Sequence, residues 1–393
     1  MRKAVVVGAG VGGLAVAGAL RRARWDVTLL ERESSLAVGR AALLLWPNGV
    51  HALRALGVGA GLDEIAEPLT ETLIRRPDGR VLVRSSMAGL VERHGAPAVA
   101  VRRQDLYDAL VAELGEVNVR TGVTVDRVRA AAGSEGPAVG DGHSWWEADL
   151  VVAADGMDSV VRRAVAADST VTPAGYTAWR AVVPAHRAPE TAAAGETVGS
   201  GQRLLIAPLG SRGVYWMAVV AGAPRPESAE VQLELLFRWF ADWHDPVAKL
   251  IDATRPDELW QQAMADLAPL PRRFGFAVGH GGIALLGDAA HAMTPNLGQG
   301  ACLALEDAIT LANLMAEAPL GGPLDGVLSR YDQLRRRRAA KLVRQSRRLG
   351  AVFGARSRLG VGARNTLLTA APGLFDRVTA AGAGWRPPGY RRP

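Results

Sequence analysis

The sequence predicts an α/β protein in which a Rossmann-like nucleotide-binding domain is interleaved with a β-sheet domain and is followed by C-terminal helices. Three observations predict this class. Segments that read as strand, turn and helix occur at the start of the chain, around residue 150 and around residue 285. Segments with strand character lie between them, and a long basic helix follows. This order indicates two interleaved domains rather than two domains in succession.

The composition is that of a globular protein with a sizeable core. The chain has 393 residues, of which 49% are hydrophobic and 22% charged, which excludes disordered, collagen-like and coiled-coil chains. The single cysteine, Cys302, excludes a disulfide framework, a CxxC redox pair and a cysteine-rich zinc site, and no His, Cys or Asp spacing suggests a metal. The net charge of +7 predicts mild attraction for anionic small molecules, because acidic residues are interspersed with the basic ones.

No apolar run has the length of a membrane span. The N-terminal segment, in which Arg2-Lys3 precedes apolar and small residues, mimics a signal peptide. We favour a strand, a glycine turn and a helix instead, because a second strand at 26–31 completes a nucleotide-binding unit. We therefore expect a cytoplasmic, reduced protein.

The first element is a strand over Ala4–Val7, which the glycine-rich turn GAGVGG connects to a helix over Leu14–Ala23. In this turn Gly8 permits the tight bend, Gly10 lets the backbone approach a pyrophosphate, and Gly13 lets the helix pack closely on the sheet. The start of the helix offers free N–H groups and a positive dipole end to the phosphates.

Glu31 ends the second strand, Asp26–Glu31. A carboxylate at this place accepts hydrogen bonds from both hydroxyls of a ribose and repels a 2′-phosphate. The unit therefore fits FAD or NAD but not NADP. Because we find no second such unit, we expect one tightly held dinucleotide.

The middle of the chain alternates between helices and strands. Helices are predicted at 47–57, 104–114, 227–251 and 256–267. Strands are predicted at 71–86, as a hairpin around Pro77-Asp78-Gly79, at 117–152, with turn residues at 133–144, and at 172–222. In the last of these segments, strands at 204–207 and 214–220 flank the turn 210–213 and form a hairpin. A buried strand at 282–286, helices at 300–317 and 325–349, and short helices in the tail complete the chain.

Two further motifs follow apolar strands. In the first, Asp155-Gly156 ends a strand, and Ser159 and Arg162 open a helix. In the second, Gly287-Asp288 ends a strand, and an irregular loop carries Pro295 and Gly298-Gln299-Gly300 into a helix. Asp288 has the chemistry to bind a sugar hydroxyl of an extended ligand, and the free N–H groups at 298–302 have the chemistry to face an anion.

The three motifs, in their order and spacing, resemble those of the single-component (group A) FAD-dependent aromatic monooxygenases, which have the p-hydroxybenzoate hydroxylase fold. The resemblance covers about residues 1–345. The segments 39–59 and 101–110 are similar to other FAD-binding segments of the family. The segment GYTAWRAVV (175–183) is similar to a strand of its salicylate hydroxylase, urate hydroxylase and zeaxanthin epoxidase-like branch.

This resemblance implies a division of the chain and a set of FAD contacts. A FAD-binding domain would comprise 1–70, 98–170 and 272–345, a substrate-binding domain 71–97 and 171–271, and a helical tail 346–393. The implied FAD-binding residues are Gly8, Gly10 and Gly13 at the pyrophosphate, Glu31 at the adenosine ribose with the adjacent Arg32, Arg40 and Arg103 at the pyrophosphate–ribityl region, Asp288 at the ribityl chain or pyrophosphate, Pro295 and Gly298 in the loop, and Gly300 and Ala301, whose N–H groups would face flavin N1 and O2. Asp155 and Arg162 belong to the motif that serves both FAD and NAD(P)H.

The resemblance also implies an activity. NADPH or NADH, as a transient co-substrate, would reduce the flavin, and reduced flavin would take up O2 to give a C4a-hydroperoxide. One oxygen atom would then be transferred to an aromatic or conjugated small molecule. Arg203 and Tyr215 occupy strand positions that resemble those of the Arg and Tyr of urate hydroxylase, and Arg180 is a further candidate for contact with the substrate. An anionic or phenolic substrate would suit this pair.

Other interpretations stay open at this stage. Epoxidation and Baeyer–Villiger insertion occur on the same scaffold, and a flavin-binding redox module without turnover belongs to another class of function. The basic helix around Arg335–Arg338 could bind nucleic acid, but its helical spacing favours a solvated face with acidic partners. We expect His291 to make a structural hydrogen bond. We expect a monomer or homodimer that binds no nucleic acid.

Overall fold

The computed structural model describes residues 1–36, 39, 41–130, 136–191, 193–319 and 321–388. Within them the strands are β1 (Lys3–Val7), β2 (Asp26–Leu30), β3 (Ala42–Leu45), β4 (Ala66–Pro68), β5 (Glu71–Arg75), β6 (Val81–Ser86), β7 (Val99–Arg102), β8 (Asn118–Arg120), β9 (Arg127–Arg129), β10 (Ala138–Gly140), β11 (Trp145–Glu147), β12 (Leu150–Ala153), β13 (Val171–Val183), β14 (Ala194–Val198), β15 (Gln202–Pro208), β16 (Val214–Ala221), β17 (Trp260–Leu267), β18 (Gly275–Val278) and β19 (Gly281–Leu285).

The α-helices of the same residues are α1 (Val11–Arg22), α2 (Pro47–Ala55), α3 (Gly59–Ile65), α4 (Ala88–His94), α5 (Arg103–Ala112), α6 (Val160–Val165), α7 (Ala229–Phe240), α8 (Val247–Asp252), α9 (Asp288–His291), α10 (Gly300–Ala316), α11 (Asp325–Phe353), α12 (Arg358–Ala370) and α13 (Pro372–Thr379). Short 3₁₀ helices occur at Gly210–Arg212, Pro256–Glu258, Pro295–Leu297 and Ala380–Gly382. Among the residues so described, no helix combines the length and the apolar character that a membrane crossing requires.

The nucleotide-binding half of the molecule is a largely parallel sheet with the strand order β18-β19-β12-β1-β2-β8. β1 lies between β2 and β12 and pairs in parallel with both, and β18 adds an antiparallel edge. Its central strands are apolar and buried, as strands covered by helices on both faces must be. α1 packs against α5 and α10, and it is buried from Val11 to Leu20. The carboxyl ends of β1, β12 and β19 therefore bring the three sequence motifs to one edge of the sheet.

A second large sheet has the order β17-β13-β16-β15-β14-β5-β6. β5 and β14 come from distant parts of the chain and pair in parallel. One face packs on α7 and α8 through a core that includes Trp179, Trp216 and Phe240. The opposite face carries Tyr215, Met217 and other buried side chains that pack toward β3 and β7. The second sheet therefore turns one face to its own helices and the other to the nucleotide-binding half.

The β15–β16 hairpin has the predicted alternation. Arg203 pairs with Val219, Leu205 with Met217, and Ala207 with Tyr215 across the two strands. These residues share the face directed at the nucleotide-binding half, because side chains two apart on a strand point the same way. Arg203 and Tyr215 consequently lie at opposite ends of the strand pair, and Leu205 and Met217 lie between them.

The C-terminal helices pack on the second sheet. Phe353 and Leu368 join a core with Val83 and Val198. The buried guanidinium of Arg364, on α12, donates hydrogen bonds to the carbonyls of Val198 and Gly199 at 3.1 and 2.8 Å. The tail is thus fastened to the end of β14.

The predicted helix at 256–267 is wrong: after a 3₁₀ turn at Pro256–Glu258 these residues form strand β17. β17 pairs with β13 in antiparallel fashion, with a bulge between Pro173 and Thr177. The residues of this segment favour helices locally, but pairing along the open edge of β13 overrides that preference. The predicted turn at 133–144 is also partly wrong, since β10 lies within it.

Candidate active site

Each of the three motif glycines in the turn after β1 has different surroundings. Gly8 has a φ of +97°, and a Cβ there would lie 2.4 Å from the Ala154 carbonyl oxygen. A Cβ on Gly13 would lie 1.9 Å from the Gly8 carbonyl oxygen, so this glycine allows α1 to begin against the turn. A Cβ on Gly10 would meet no atom within 4 Å. The turn is therefore closed around Gly8 and Gly13 and open at Gly10, where a pyrophosphate has room to approach.

Glu31 is held at this turn. One of its carboxylate oxygens accepts a 2.6 Å hydrogen bond from the Ala9 N–H, and the other accepts one of 3.0 Å from the Glu33 N–H. The neighbouring Arg32 is exposed and forms a 3.3 Å ion pair with Glu33. Glu31 therefore lies where the motif requires it, whereas Arg32 is directed to the surface. The FAD contact of Arg32 stays a prediction.

Arg103 has a carboxylate, Asp288, and a second arginine, Arg180, as electrostatic neighbours. Arg103 begins α5, and its N–H donates to the Ala41 carbonyl at 2.8 Å. Burial lowers the pKa of Arg103, Asp288 opposes this effect, and the positive charge of Arg180 adds to it. The Asp288 side chain is exposed, but the surrounding protein raises its pKa by desolvation. The smaller effects of His291 and Arg103 oppose this rise. Two neighbouring guanidiniums, of which only Arg103 has Asp288 as an opposing charge, are suited to an anionic ligand. Arg40 lies outside the described residues.

The second motif fastens one strand end to another. The Oδ2 atom of Asp155 accepts hydrogen bonds from the N–H groups of Val160 and Val161, while its buried Oδ1 has no partner within the described part of the chain. Arg162 is buried and donates to the carbonyls of Met157 and Ala289 at 2.7 and 3.3 Å. Its guanidinium therefore bridges the second and third motifs. Roles for Asp155 and Arg162 toward cofactor stay predictions.

The third motif presents the open end of α10. A 3₁₀ turn at Pro295–Leu297 and Gly298, with a φ of +60°, lead the chain into Gly300. The first backbone bond of the helix runs from the Leu303 N–H to the Gln299 carbonyl at 2.9 Å. The N–H groups of Gly300 and Ala301 precede that bond and are available to an anion.

A buried polar network holds this loop, and His291 is the member for which the sequence predicts a structural hydrogen bond. Asp307 accepts hydrogen bonds from the Gly287 N–H at 3.1 Å, from His291 Nε2 at 2.6 Å and from Arg335 Nε at 2.6 Å. The structural hydrogen bond expected of His291 is thus confirmed. Asn48 connects the loop to α10, because its amide donates to both Gln299 and Glu306. The sequence signal for this network is the acidic pair Glu306-Asp307 inside an apolar helix.

The basic helix α11 supplies the cations of this network. Arg335 is buried between Glu306 and Asp307, Arg338 pairs with Glu306, and Arg347 pairs with Asp266. The predicted acidic partners are present, but Arg335 lies in the core rather than on the predicted solvated face. In the chain segments that the structure describes, no group of three or more His, Cys, Asp or Glu is arranged to hold a metal.

Tyr215 and Arg180 lie together near the Arg103 end of the second sheet. Burial raises the pKa of Tyr215, and the positive charge of Arg180 opposes this in part. Arg180 donates to the Gln262 side-chain oxygen at 3.2 Å and stacks over Trp260, 5.1 Å from the ring centre. Arg203 and Tyr215, both predicted to contact the substrate, lie at opposite ends of the β15–β16 strand pair, and Arg180 is the guanidinium beside Tyr215.

Two cavities meet at Arg203. The inner cavity, of about 150 Å³, lies under β15–β16 and beside the loop that precedes α10. Its apolar lining includes Leu44, Trp46, Leu73, Leu90, Leu205, Met217, Leu297 and Phe375. The outer cavity, of about 370 Å³, lies between the first residues of β13 and the C-terminal half of α11. Arg203 and Asn296 line both cavities and so stand at the boundary between them.

Arg203 contacts four neighbouring side chains. Its Nη1 atom lies 3.4 Å from Oε1 of Glu196, and its Nη2 atom donates to the Asn296 side-chain oxygen. Its guanidinium also lies over the rings of Tyr176 and Phe353, at 5.7 and 5.9 Å. Burial raises the pKa of Glu196, an effect that Arg203 and Arg364 oppose.

The C-terminal tail contributes to the lining of the inner cavity. Phe375, Asp376 and Ala380 line it, and Asp376 accepts a hydrogen bond from the Ser85 hydroxyl of β6. The second sheet, the loop before α10 and the C-terminal helices therefore all contribute to the lining of this cavity.

Comparison with known proteins identifies the family to which the chain belongs. Residues 1–346 match the family described as FAD binding domain. The chain is 32% identical over 350 residues to the aurachin C monooxygenase/isomerase of Stigmatella aurantiaca, covering 88% of each chain. It is 34% identical over 382 residues to the 2-heptyl-3-hydroxy-4(1H)-quinolone synthase of Pseudomonas aeruginosa, covering 95% of each chain. The crystal structure of Klebsiella pneumoniae HpxO complexed with FAD and uric acid is similar to this fold with a TM-score of 0.85 and 28% identity, covering 98% of this chain and 97% of the other.

Proposed function

The chain belongs to the FAD-binding-domain family and is an FAD-dependent monooxygenase of group A, and from that premise we propose that it uses NADPH or NADH and O2 to hydroxylate a small aromatic or conjugated molecule. The proposed reaction converts a C–H bond, O2, NAD(P)H and a proton into a C–OH bond, water and NAD(P)+. The inner cavity carries this proposal, because it is an apolar space at the edge of the loop that begins α10.

The residues present fit FAD. The backbone is open at Gly10, the buried Oδ1 of Asp155 has no partner within the described residues, and the positive charges of Arg103 and Arg180 act on each other. Each of these features suits a ligand that carries phosphates and hydroxyls. We propose that Gly10 and the start of α1 hold the pyrophosphate, that Glu31 binds the adenosine ribose, and that Arg103 and Asp288 bind the region between them.

Bound FAD would supply the redox chemistry, namely acceptance of a hydride from NAD(P)H and activation of O2. The protein contributes positioning and electrostatics. The N–H groups of Gly300 and Ala301 would stabilise negative charge that develops on the cofactor, because they precede the first backbone bond of α10. The network around Asp307 keeps these groups in place, since it fixes both ends of the loop. The apolar walls of the inner cavity keep water away from the reacting atoms.

The volume of the inner cavity suits one aromatic ring, since an apolar cavity of about 150 Å³ holds a benzene-sized molecule. Leu205 and Met217 would hold such a ring against the cofactor side of the sheet. We propose that Tyr215, with Arg180 beside it, makes the polar contact to the substrate or to the cofactor, and that Arg203 bounds the far end of the cavity. The relatives whose names specify quinolones and aminohydroxybenzoates also act on aromatic compounds.

The proposal is tested on the purified holoprotein. NADH and NADPH oxidation is followed with and without a panel of phenols, hydroxybenzoates, hydroxyquinolines, quinolones and purines, and products are analysed by mass spectrometry under ¹⁸O2. The expected result is oxidation that one class of compound accelerates, with one labelled oxygen atom in the product. If nicotinamide oxidation is accelerated but every compound yields only H2O2 and no oxygenated product, hydroxylation of this panel is refuted. A protein that is not reduced by either nicotinamide would refute the proposed co-substrate.

A further inference from the structure

The two charges at the end of the inner cavity face each other. Arg203 lies on β15 and Glu196 on β14, and their side chains are 5% and 13% exposed. The distance of 3.4 Å between Arg203 Nη1 and Glu196 Oε1 makes them an ion pair, and both residues line the inner cavity. The positive charge that sequence reasoning offered to an anionic substrate is therefore already compensated within the protein.

A second nitrogen of Arg203 is also committed. Its Nη2 atom donates to the Asn296 side-chain oxygen. Asn296 is in turn fixed by hydrogen bonds from its amide to the Thr294 hydroxyl and the Ser346 carbonyl, each at 2.9 Å. A Cβ on Gly350 of α11 would lie 2.4 Å from the Asn296 amide nitrogen, so the helix presses against this side chain. Arg203 could turn toward a ligand only by breaking contacts that neighbouring elements hold in place.

An anion that displaced Glu196 would leave a carboxylate in a nearly buried position, which is costly. The nearest further cation is Arg364, but its guanidinium already donates to the carbonyls of Val198 and Gly199. The other charged residues of the cavity lining are Arg93, which is exposed, and Asp376, which adds negative charge. Charge in the described lining is thus balanced before any ligand enters.

We propose that Glu196 makes the inner cavity selective for neutral aromatic substrates by occupying the charge of Arg203. The inference rests on the proposed function only in taking the inner cavity as the place where substrate binds. A neutral ring packs against Leu205 and Met217 without disturbing the pair, whereas a carboxylate or urate-like anion must compete with Glu196. Glu196 is therefore a specificity-determining residue, and removal of its charge should open the cavity to anions.

The test measures binding rather than turnover, with two ligands of the same shape and different charge. Benzamide and benzoate are titrated into the FAD-loaded protein at about pH 8, well above the ordinary range of a carboxyl pKa. Binding is followed through the flavin absorption spectrum and by calorimetry. The wild-type protein should bind benzamide at least about tenfold more tightly than benzoate, because benzoate would bury a second negative charge beside Glu196 without a free cation to pair with it. Equal or tighter binding of benzoate would overturn the proposal without any variant.

Three variants locate the effect. Glu196→Gln keeps the shape of the side chain and frees the charge of Arg203, so it should tighten benzoate binding by at least about tenfold and leave benzamide binding nearly unchanged. The double variant Glu196→Gln with Arg203→Gln should bind benzamide and lose the gain for benzoate. Glu258→Gln is the matched control, since Glu258 pairs with Arg187 in a similarly enclosed place outside both cavities, and it should change neither affinity.

The proposal fails if Glu196→Gln gives no gain for benzoate, or if the double variant keeps that gain. It also fails if neither ligand binds any of the four proteins, because the cavity then does not accept an aromatic ring. The first two outcomes leave the proposed reaction untouched, whereas the third also removes the inner cavity as the place where substrate binds. A protein that shows the predicted preference but oxidises no nicotinamide with any compound would retain the selectivity of the cavity and lose the proposed reaction.

Discussion

Alanine at Gly10 and at Gly13, one at a time, separates cofactor binding from folding of the glycine turn. A Cβ on Gly13 lies 1.9 Å from the Gly8 carbonyl oxygen, and real contacts of this kind are no shorter than 3.0 Å. The turn would have to open by about 1 Å, and overpacking of this kind costs about 1–3 kcal/mol. Gly13→Ala should therefore lower the free energy of unfolding of the apoprotein by that amount and weaken FAD binding as well.

Gly10→Ala should behave in the opposite way. Gly10 has a φ of −65° and a ψ of 177°, which alanine adopts freely, and no atom lies within 4 Å of its Cβ position. The apoprotein should keep its stability to within about 0.5 kcal/mol. If the pyrophosphate approaches the backbone here, the added methyl group displaces it, and loss of one charged hydrogen bond raises the Kd for FAD roughly 10- to 150-fold.

The assay is fluorescence titration of the deflavinated proteins with FAD, beside their thermal unfolding without FAD. Gly326→Ala is the control, because Gly326 lies at the start of α11 with equally open surroundings and no part in the site. Unchanged FAD affinity of Gly10→Ala would refute the reasoning, since it would show that the ligand does not use the open side of the turn. Loss of apoprotein stability in Gly10→Ala would refute the separation of the two effects.

Three further predictions concern buried polar groups. Burial raises the pKa of Asp307, but its contacts with His291 and Arg335 lower that pKa by more, so the pKa lies below its ordinary value. The ionised carboxylate therefore stabilises the fold above about pH 4, and this stabilisation is lost as the pH falls below that. Asp307→Asn should accordingly lower the free energy of unfolding by about 3–5 kcal/mol at neutral pH, measured by urea unfolding, and the difference from wild type should disappear in acid. Tyr215→Phe should lower kcat more than it changes the binding of benzamide, and a Phe variant with unchanged kcat would contradict the proposed contact. Because the pKa of Tyr215 is raised, the wild-type pH profile of kcat should show no loss of this proton up to about pH 10. Burial raises the pKa of Cys302 to about 12, so iodoacetamide at about pH 8 should label it only after unfolding, and rapid labelling of the native protein, detected by mass spectrometry, would contradict its burial.

The parts of the molecule that could be predicted from sequence are those built from neighbouring residues. The strand, turn and helix at Gly8–Gly13 follow from a local pattern, and so does the acid at Glu31, because the positive φ of Gly8, the approach of Gly13 to Gly8 and the bond from Ala9 to Glu31 lie within the unit itself. The alternation in the β15–β16 hairpin was equally readable, since the turn sets the register. The family resemblance placed these pieces in one fold, which the comparison with known proteins confirms.

The parts that could not be predicted depend on partners far along the chain. β17 has the local composition of a helix and becomes a strand because β13 offers it an edge. Arg203 was read as a free cation because nothing near it in sequence announces Asn296, which lies on the loop before α10. Arg335 was expected at the surface, but its acidic partners on α10 draw it into the core. Side-chain charge is visible in a sequence, whereas its compensation is visible only in the structure.

The same distinction separates the two halves of the site. The proposed FAD contacts come from short motifs at the ends of β1, β12 and β19, so each motif keeps its geometry as long as its own strand is paired. The inner cavity, in contrast, is assembled from β5 and β6, the β14–β16 strands, the loop before α10 and α13, and the parallel pairing of β5 with β14 joins two segments that are far apart in the chain. Changes at Leu205 or Phe375 can therefore reshape the cavity without touching a proposed FAD contact. For this reason the motifs identify the cofactor and the class of reaction, while the charge of the substrate is decided by one pair of side chains, Glu196 and Arg203, that no motif contains.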